Sequence, residues 1–301
     1  MIAVLFGLAC AVAILLVVAV GVVSYLLAWR VTRPGRHTYW DEYSFLPSDM
    51  DVPYETVTFQ SADGLRLSGW LMTHDSNAPA IVMASGYRDR KASMLPVATG
   101  LWKLGLSVFL FDCRNQGDSA MDSAQTMGWR EIPDMLAAVD VIQRRLPDCP
   151  IGAMGWSMGA VVSIFAAARD QRIRAVVSDC AYADQTNVIA YNFQQATHLP
   201  TTPFVTLADA IIERRAGYRP SRVRPEDAIG GIAPRPILLI HAEHDDLCPL
   251  DNVKRLYARA GEPKELWIVP EVKHVGAYFV DPDRYLKRVA AFFHASLTRQ
   301  L

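Results

Sequence analysis

Six short apolar runs decide most of what this chain can become: 80–84 (AIVMA), 106–111 (LSVFLF), 151–155 (IGAMG), 173–178 (IRAVVS), 236–240 (PILLI) and 265–269 (ELWIV). Each is too short for a helix and lacks the strict alternation of a strand with one wet face, so each suits a strand buried on both faces. Between them lie helix-like stretches, among them 93–104, 131–146, 158–169 and 251–260. Strand and helix in alternation predict a mostly parallel sheet covered on both sides. Ahead of these runs, "YETVTFQ" and "LRLSGWLM" flank "SADG", whose Asp63-Gly64 is a hairpin signal, and predict an antiparallel pair. The expected fold class is therefore α/β, one doubly wound domain over 53–301 with eight strands. The interval from about 182 to 230 is too long for a plain crossover and carries Tyr182, Tyr191, Phe193, Pro200, Pro203 and Phe204. It is read as an insertion forming a small helical cap.

No charged residue occurs from Ile2 to Trp29, a run longer than the ~18 apolar residues that argue for a transmembrane helix. The run lacks the basic start, short apolar stretch and small-residue cleavage site of a secretory signal. We expect a transmembrane anchor over 1–30 and a linker over 31–52. Arg30, Arg33 and Arg36 flank the C-terminal end of the run, and the positive-inside rule then predicts a single-pass protein of the cell membrane with its catalytic domain in the cytoplasm. Five scattered cysteines without a C-x-x-C suggest neither a disulfide framework nor a zinc site, and suit reduced, buried thiols. A formal net charge of -1 supplies no drive toward nucleic acid, which is not expected as a partner. The oligomeric state is not legible.

The stretch "GAMGWSMGA" contains G-x-S-x-G at Gly155 to Gly159, between a predicted strand and a good helix former. Strand, turn and helix in that order place Ser157 on a strained turn, with Gly155 and Gly159 leaving room for helix and strand to approach. An ordinary glycine-serine connection is the competing explanation, and the flanking elements argue against it. A serine hydroxyl needs a base, and the base an orienting acid. Asp245 follows the run ending at Ile240, in "HAEHDDLCPL". His274 follows the run ending near Val269, in "PEVKHVGAY". Both would lie at the carboxyl edge of the sheet, where catalytic groups of open α/β sheets gather. His241 precedes the acid and suits a supporting role. The group His241, His244, Asp245 and Asp246 lies on one loop, and adjacent residues of a loop rarely all point inward, so no metal is expected. The oxyanion donors are expected to be the backbone amides of Met158 and of Tyr87, the latter in "SGYRDR" after the 80–84 strand.

With these residues assembled, the stretch from about Tyr54 to Phe293 resembles the α/β-hydrolase superfamily. Within it the likeness is to small bacterial membrane-anchored or cytosolic serine hydrolases related to the catalytic domain of prolyl oligopeptidase-like enzymes. Besides "GWSMG", the matching pieces are "FDCRNQGDS", similar to D-x-R-x-x-G-x-S, and "TMGWREIPDM", similar to T-x-G-x-x-E-x-x-D. "HAEHDDLCP" is similar to H-G-x-x-D-x-x-V-P, which assigns the acid to Asp245. The departures are Ser85-Gly86 for a usual His-Gly, Ala242 for a glycine after the acid-loop His, and Lys273 for the Gly before the catalytic His. The resemblance implies hydrolysis of an ester, thioester or amide through an acyl-enzyme, without cofactor or metal. A small acyl ester or lipid-like molecule is the expected substrate, in keeping with the anchor and an aromatic-bearing cap. A peptidase shares the triad, and a non-catalytic membrane-tethered scaffold shares the fold. Arg114, Asp118, Trp129 and Glu131 are expected to brace the domain.

Overall fold

Val82, Phe109 and Phe111 pack into one apolar cluster while their strand neighbours Ile81, Met83, Val108 and Leu110 pack into another. This period-two division, with every residue of both strands buried, is what a sheet covered on both faces requires. The computed structural model describes residues 1–35 and 45–298. Within them eight strands form one sheet: β1 (Glu55–Gln60), β2 (Arg66–Met72), β3 (Ala80–Ala84), β4 (Ser107–Asp112), β5 (Ile151–Trp156), β6 (Ile173–Asp179), β7 (Ile237–Ala242) and β8 (Lys264–Val269). Their order is β1-β2-β4-β3-β5-β6-β7-β8. The β1-β2 and β2-β4 pairs are antiparallel and all the others parallel. This is the mostly parallel α/β sheet expected from the apolar runs, in the α/β-hydrolase fold that the resemblance implies.

The helices are α1 (Ile2–Thr32), α2 (Leu95–Lys103), α3 (Ile132–Arg145), α4 (Met158–Arg169), α5 (Gln185–Thr197), α6 (Phe204–Ala216), α7 (Pro225–Ala228), α8 (Asp251–Arg259), α9 (Ala277–Val280) and α10 (Pro282–Leu297). Side chains of α3, α4 and α8 cover one face of the sheet. Those of α2 and α10 cover the other. Helix α10 does not figure among the helices expected from the sequence, although its start is marked: Asp281 accepts a hydrogen bond from the Arg284 amide and Pro282 stands at the first turn. Between β6 and β7 the chain lays α5, α6 and α7, with Asp184 capping α5 through the Asn187 amide.

Helix α1 is 31 residues long, about 46 Å at 1.5 Å per residue, and apolar enough to cross a membrane or to act as a signal sequence. It runs two residues past the expected end of the anchor. Val31 and Thr32, assigned from sequence to the linker, are helical and buried. Arg36 and the linker stretch 36–44 lie outside the described residues.

Candidate active site

Parallel register brings the strand ends that matter to one edge. Ala84 of β3 pairs with Gly155 of β5, Trp156 with Asp179 of β6, Asp179 with Ile240 of β7, and Ala242 with Val269 of β8. The loops after β3, β5, β7 and β8 therefore leave the sheet side by side, carrying Tyr87, Ser157, Asp245 and His274.

Ser157 occupies φ 52°, ψ -113° between β5 and α4, a conformation that costs an L-residue about 1–3 kcal/mol. It is held there from both sides. The Ser157 amide donates to the Asp179 carbonyl at 2.8 Å and its carbonyl accepts from the Val161 amide. A Cβ on Gly155 would lie 2.1 Å from the Gly159 carbonyl carbon, and one on Gly159 would lie 2.0 Å from the Ala84 carbonyl oxygen. The two glycines are thus steric conditions for bringing α4 against β3 and β5. Met158 opens α4, so its amide belongs to the orphan donors of a helix start.

His274 and Asp245 meet: Nδ1 of the imidazole lies 2.7 Å from Oδ2 of the carboxylate. The other oxygen, Oδ1, accepts from the Leu247 amide at 3.0 Å and the Cys248 amide at 2.7 Å. Burial pushes the Asp245 carboxyl up, but the His274 hydrogen bond and charge, with the Cys248 amide, outweigh it and hold the group below its ordinary value. Asp245 is thus an anion that fixes Nδ1 as the protonated nitrogen of the imidazole. His274 is partly exposed, as is Ser157. The adjoining Val275 sits at φ 58°, a rare backbone for a β-branched residue. Its amide donates to the Cys180 sulfur at 3.3 Å.

Gly86 lies beside Ser157, since a Cβ built on it would be 3.6 Å from the Ser157 Cβ. The amide of Tyr87 is the next along the chain. Gln116, which sequence reasoning missed, braces this loop: its Nε2 donates to the Gly86 carbonyl at 2.5 Å while its Oε1 accepts from the Cys113 amide at 3.1 Å. Gln116 occupies a variable position of D-x-R-x-x-G-x-S, so the pattern did not single it out.

His241 is fully buried, and Nε2 donates to the Cys248 carbonyl at 2.8 Å. Desolvation depresses its basicity, so a neutral imidazole ties the acid loop to β7. Cys180, His241 and Asp245 hold ligand-type atoms within 4.8 Å of one another, as do the exposed Glu243, His244 and Glu271. In the first group both Asp245 oxygens and His241 Nε2 already have protein partners.

A second buried carboxyl adjoins the site and was not anticipated. Asp179 ends β6, and its Oδ2 accepts from Tyr285 Oη at 2.8 Å, which in turn accepts from Trp156 Nε1 at 3.0 Å. Its Oδ1 is buried without a partner among the described residues. Burial pushes the Asp179 carboxyl up to about 6, against the Tyr285 hydrogen bond. The signal available in the sequence was an acid closing an apolar strand run.

The residues expected to brace the domain do so in pairs. Arg114 forks onto Asp134, with Nη2 to Oδ1 at 2.7 Å, and reaches Asp63 at 2.8 Å. Lys91 bridges Asp112 and Asp118. Glu131 accepts from the Thr126 amide, the Thr126 hydroxyl and the Gly128 amide. Trp129 lies under the Arg169 guanidinium.

Residues 113–300 match the model of the prolyl oligopeptidase family. The structure of the esterase Pf2001 of Pyrococcus furiosus superposes with a TM-score of 0.74 at 26% identity, covering 89% of this chain and 98% of that one. The uncharacterized protein YqkD of Bacillus subtilis is 28% identical over 235 residues, 77% of this chain and 76% of that protein. The thiohydrolase aneE of Aspergillus aculeatus is 36% identical over 137 residues, 44% of this chain and 43% of its own.

Proposed function

The chain belongs to the prolyl oligopeptidase family, a hydrolase of the α/β-hydrolase type, and from that premise we propose that it cleaves a carboxylic ester or thioester through an acyl-enzyme on Ser157. The observation that carries the reading is the 2.7 Å pair of His274 Nδ1 with an ionised Asp245, on the same sheet edge as a serine held at φ 52°. His274 Nε2 takes the proton of Ser157 Oγ as the oxygen attacks the acyl carbon. The amides of Met158 and Tyr87 receive the oxyanion. Collapse of the tetrahedral species breaks the bond to the leaving alcohol or thiol, which takes the proton from Nε2. Water then repeats the sequence on the acyl-serine, releasing the acid and restoring Ser157.

Three side chains favour an apolar acyl group. Leu247 borders the acid, Phe279 and Val280 follow the base, and all are well exposed. Phe279 also packs against Trp156, next to Ser157. The likeness to an esterase supports the ester reading, and that to a thiohydrolase keeps thioesters in scope. Arg30, Arg33 and Arg36 after the apolar run support a membrane anchor with the hydrolase domain in the cytoplasm.

The test is reaction of the detergent-solubilised protein with a fluorophosphonate probe, beside hydrolysis of p-nitrophenyl esters. Ser157→Ala and His274→Ala are expected to abolish both, and Asp245→Asn to lower kcat by about 10⁴, as loss of the orienting acid does in other triads. Labelled protein that cleaves peptide anilides and no ester would establish a peptidase instead. A folded wild-type chain that neither labels nor hydrolyses would leave a membrane-tethered scaffold.

A further inference from the structure

The last four carbonyls of a helix have no partner within it and must find one elsewhere. In α1 the Trp29 carbonyl accepts from the Arg33 amide at 2.8 Å. The Val31 carbonyl accepts from Tyr87 Oη at 2.8 Å. The Arg30 carbonyl has the same hydroxyl at 3.2 Å and Arg88 Nη2 at 3.4 Å. The Thr32 carbonyl accepts from the Gln125 amide at 3.1 Å. Three of these four oxygens are thus met by the folded domain, two of them by the loop that follows β3. Arg88 Nη2 also donates to the Arg33 carbonyl at 2.8 Å. We infer that the exit of α1 is a positioning element of the hydrolytic site, because Tyr87 and Arg88 grip its terminal carbonyls and so set the loop that carries the oxyanion amide.

The inference rests on the proposed roles of Ser157 and Tyr87, and three further observations support it. Arg88 stands at φ 58°, a conformation that a non-glycine loop residue keeps only when its surroundings impose it. The segment from Gly86 to Arg88 is pinned on one side by Gln116, at the Gly86 carbonyl, and on the other by α1. Helix α1 itself is seated on the domain. Ala28 and Val31 belong to the same apolar cluster as Val205, Ala208 and Ile212 of α6, and Arg215 donates to Tyr25 Oη at 3.0 Å. Displacing α1 therefore moves the outer anchor of the oxyanion loop while leaving Ser157, His274 and Asp245 in place. A misplacement of about 1 Å at such a donor is enough to cost up to 10²-fold in rate.

The test uses the full chain in detergent, p-nitrophenyl butyrate, and the variants Y87F, R88M, R88K, Y87F/R88M and R215M. The double variant is expected to lose about tenfold or more in kcat with KM within about twofold, since the oxyanion contact is made chiefly in the transition state. R88K, which keeps a donor, should recover more activity than R88M. R215M loosens the α1 seat without touching the loop, and should reproduce a smaller kcat loss even if the double variant fails to fold. Unchanged kcat in Y87F, R88M and R215M would overturn the inference while leaving the hydrolase reading intact. A wild-type chain inert to ester and fluorophosphonate would overturn the hydrolase reading, and this one with it.

Discussion

At Gly159 the fold and the proposed chemistry depend on the absence of one carbon atom. Its position, with that of Gly155, was readable from the sequence because the steric demand of a tight strand-to-helix turn is local. Gly159→Ala would drive a Cβ to 2.0 Å from the Ala84 oxygen, and backbone on both sides leaves no flexible atom to yield. We expect it to destabilise the chain by about 4 kcal/mol or more, a loss that chemical denaturation would register. Asp179 makes a prediction of the opposite sign. Its carboxyl is pushed up to about 6 in the folded chain, while the unfolded value is near 4. The native state therefore holds this proton more tightly. The stability it contributes is complete below about pH 4 and is lost as pH rises through 6. Asp179→Asn, which can still accept from Tyr285, should remove that dependence: the variant gains about 2–3 kcal/mol over the wild type at pH 7.5 relative to pH 4. Urea unfolding at the two pH values measures it.

Among elements, the strands and the four expected core helices were legible because burial on both faces and helical periodicity are short-range patterns. The apolar runs at 80–84 and 173–178 became β3 and β6 with little change of bounds. The loops were less so. The segment from Thr126 to Glu131 shows why: its fold depends on one carboxylate serving two amides and a hydroxyl. This segment and the residue before it join distant elements, since Gln185 of α5 donates to the Thr126 carbonyl and the Gln125 amide caps α1. Glu131→Gln leaves only one acceptor oxygen where three donors converge. A buried donor left unmet costs about 1–3 kcal/mol, so the variant should show a lowered melting temperature and faster proteolysis near residues 122–130.

For the whole molecule the consequential feature is that α1 continues into the folded domain. Ala28 is fully buried there, in the same apolar cluster as Val205, Ala208 and Ile212 of α6. Ala28→Leu should overpack this contact and cost about 1–3 kcal/mol. Thermal unfolding of the detergent-solubilised chain should detect it, with activity falling in parallel where the helix is displaced.

The sequence alone determined the eight strands in chain order with helices α2, α3, α4 and α8 between them, the apolar α1, the serine turn and the three candidate residues after β5, β7 and β8. Each follows from patterns spanning a few residues, where hydrophobic periodicity and backbone sterics decide the outcome. Tertiary structure alone decided that Gln116 holds the Gly86 carbonyl, that Asp179 is buried against Tyr285, and that Tyr87 and Arg88 close the end of α1. Those contacts join residues 30 to 106 positions apart. No local pattern encodes them, because each partner satisfies its own short-range rules equally well without the other, and only the packing of the whole chain brings them within hydrogen-bonding distance.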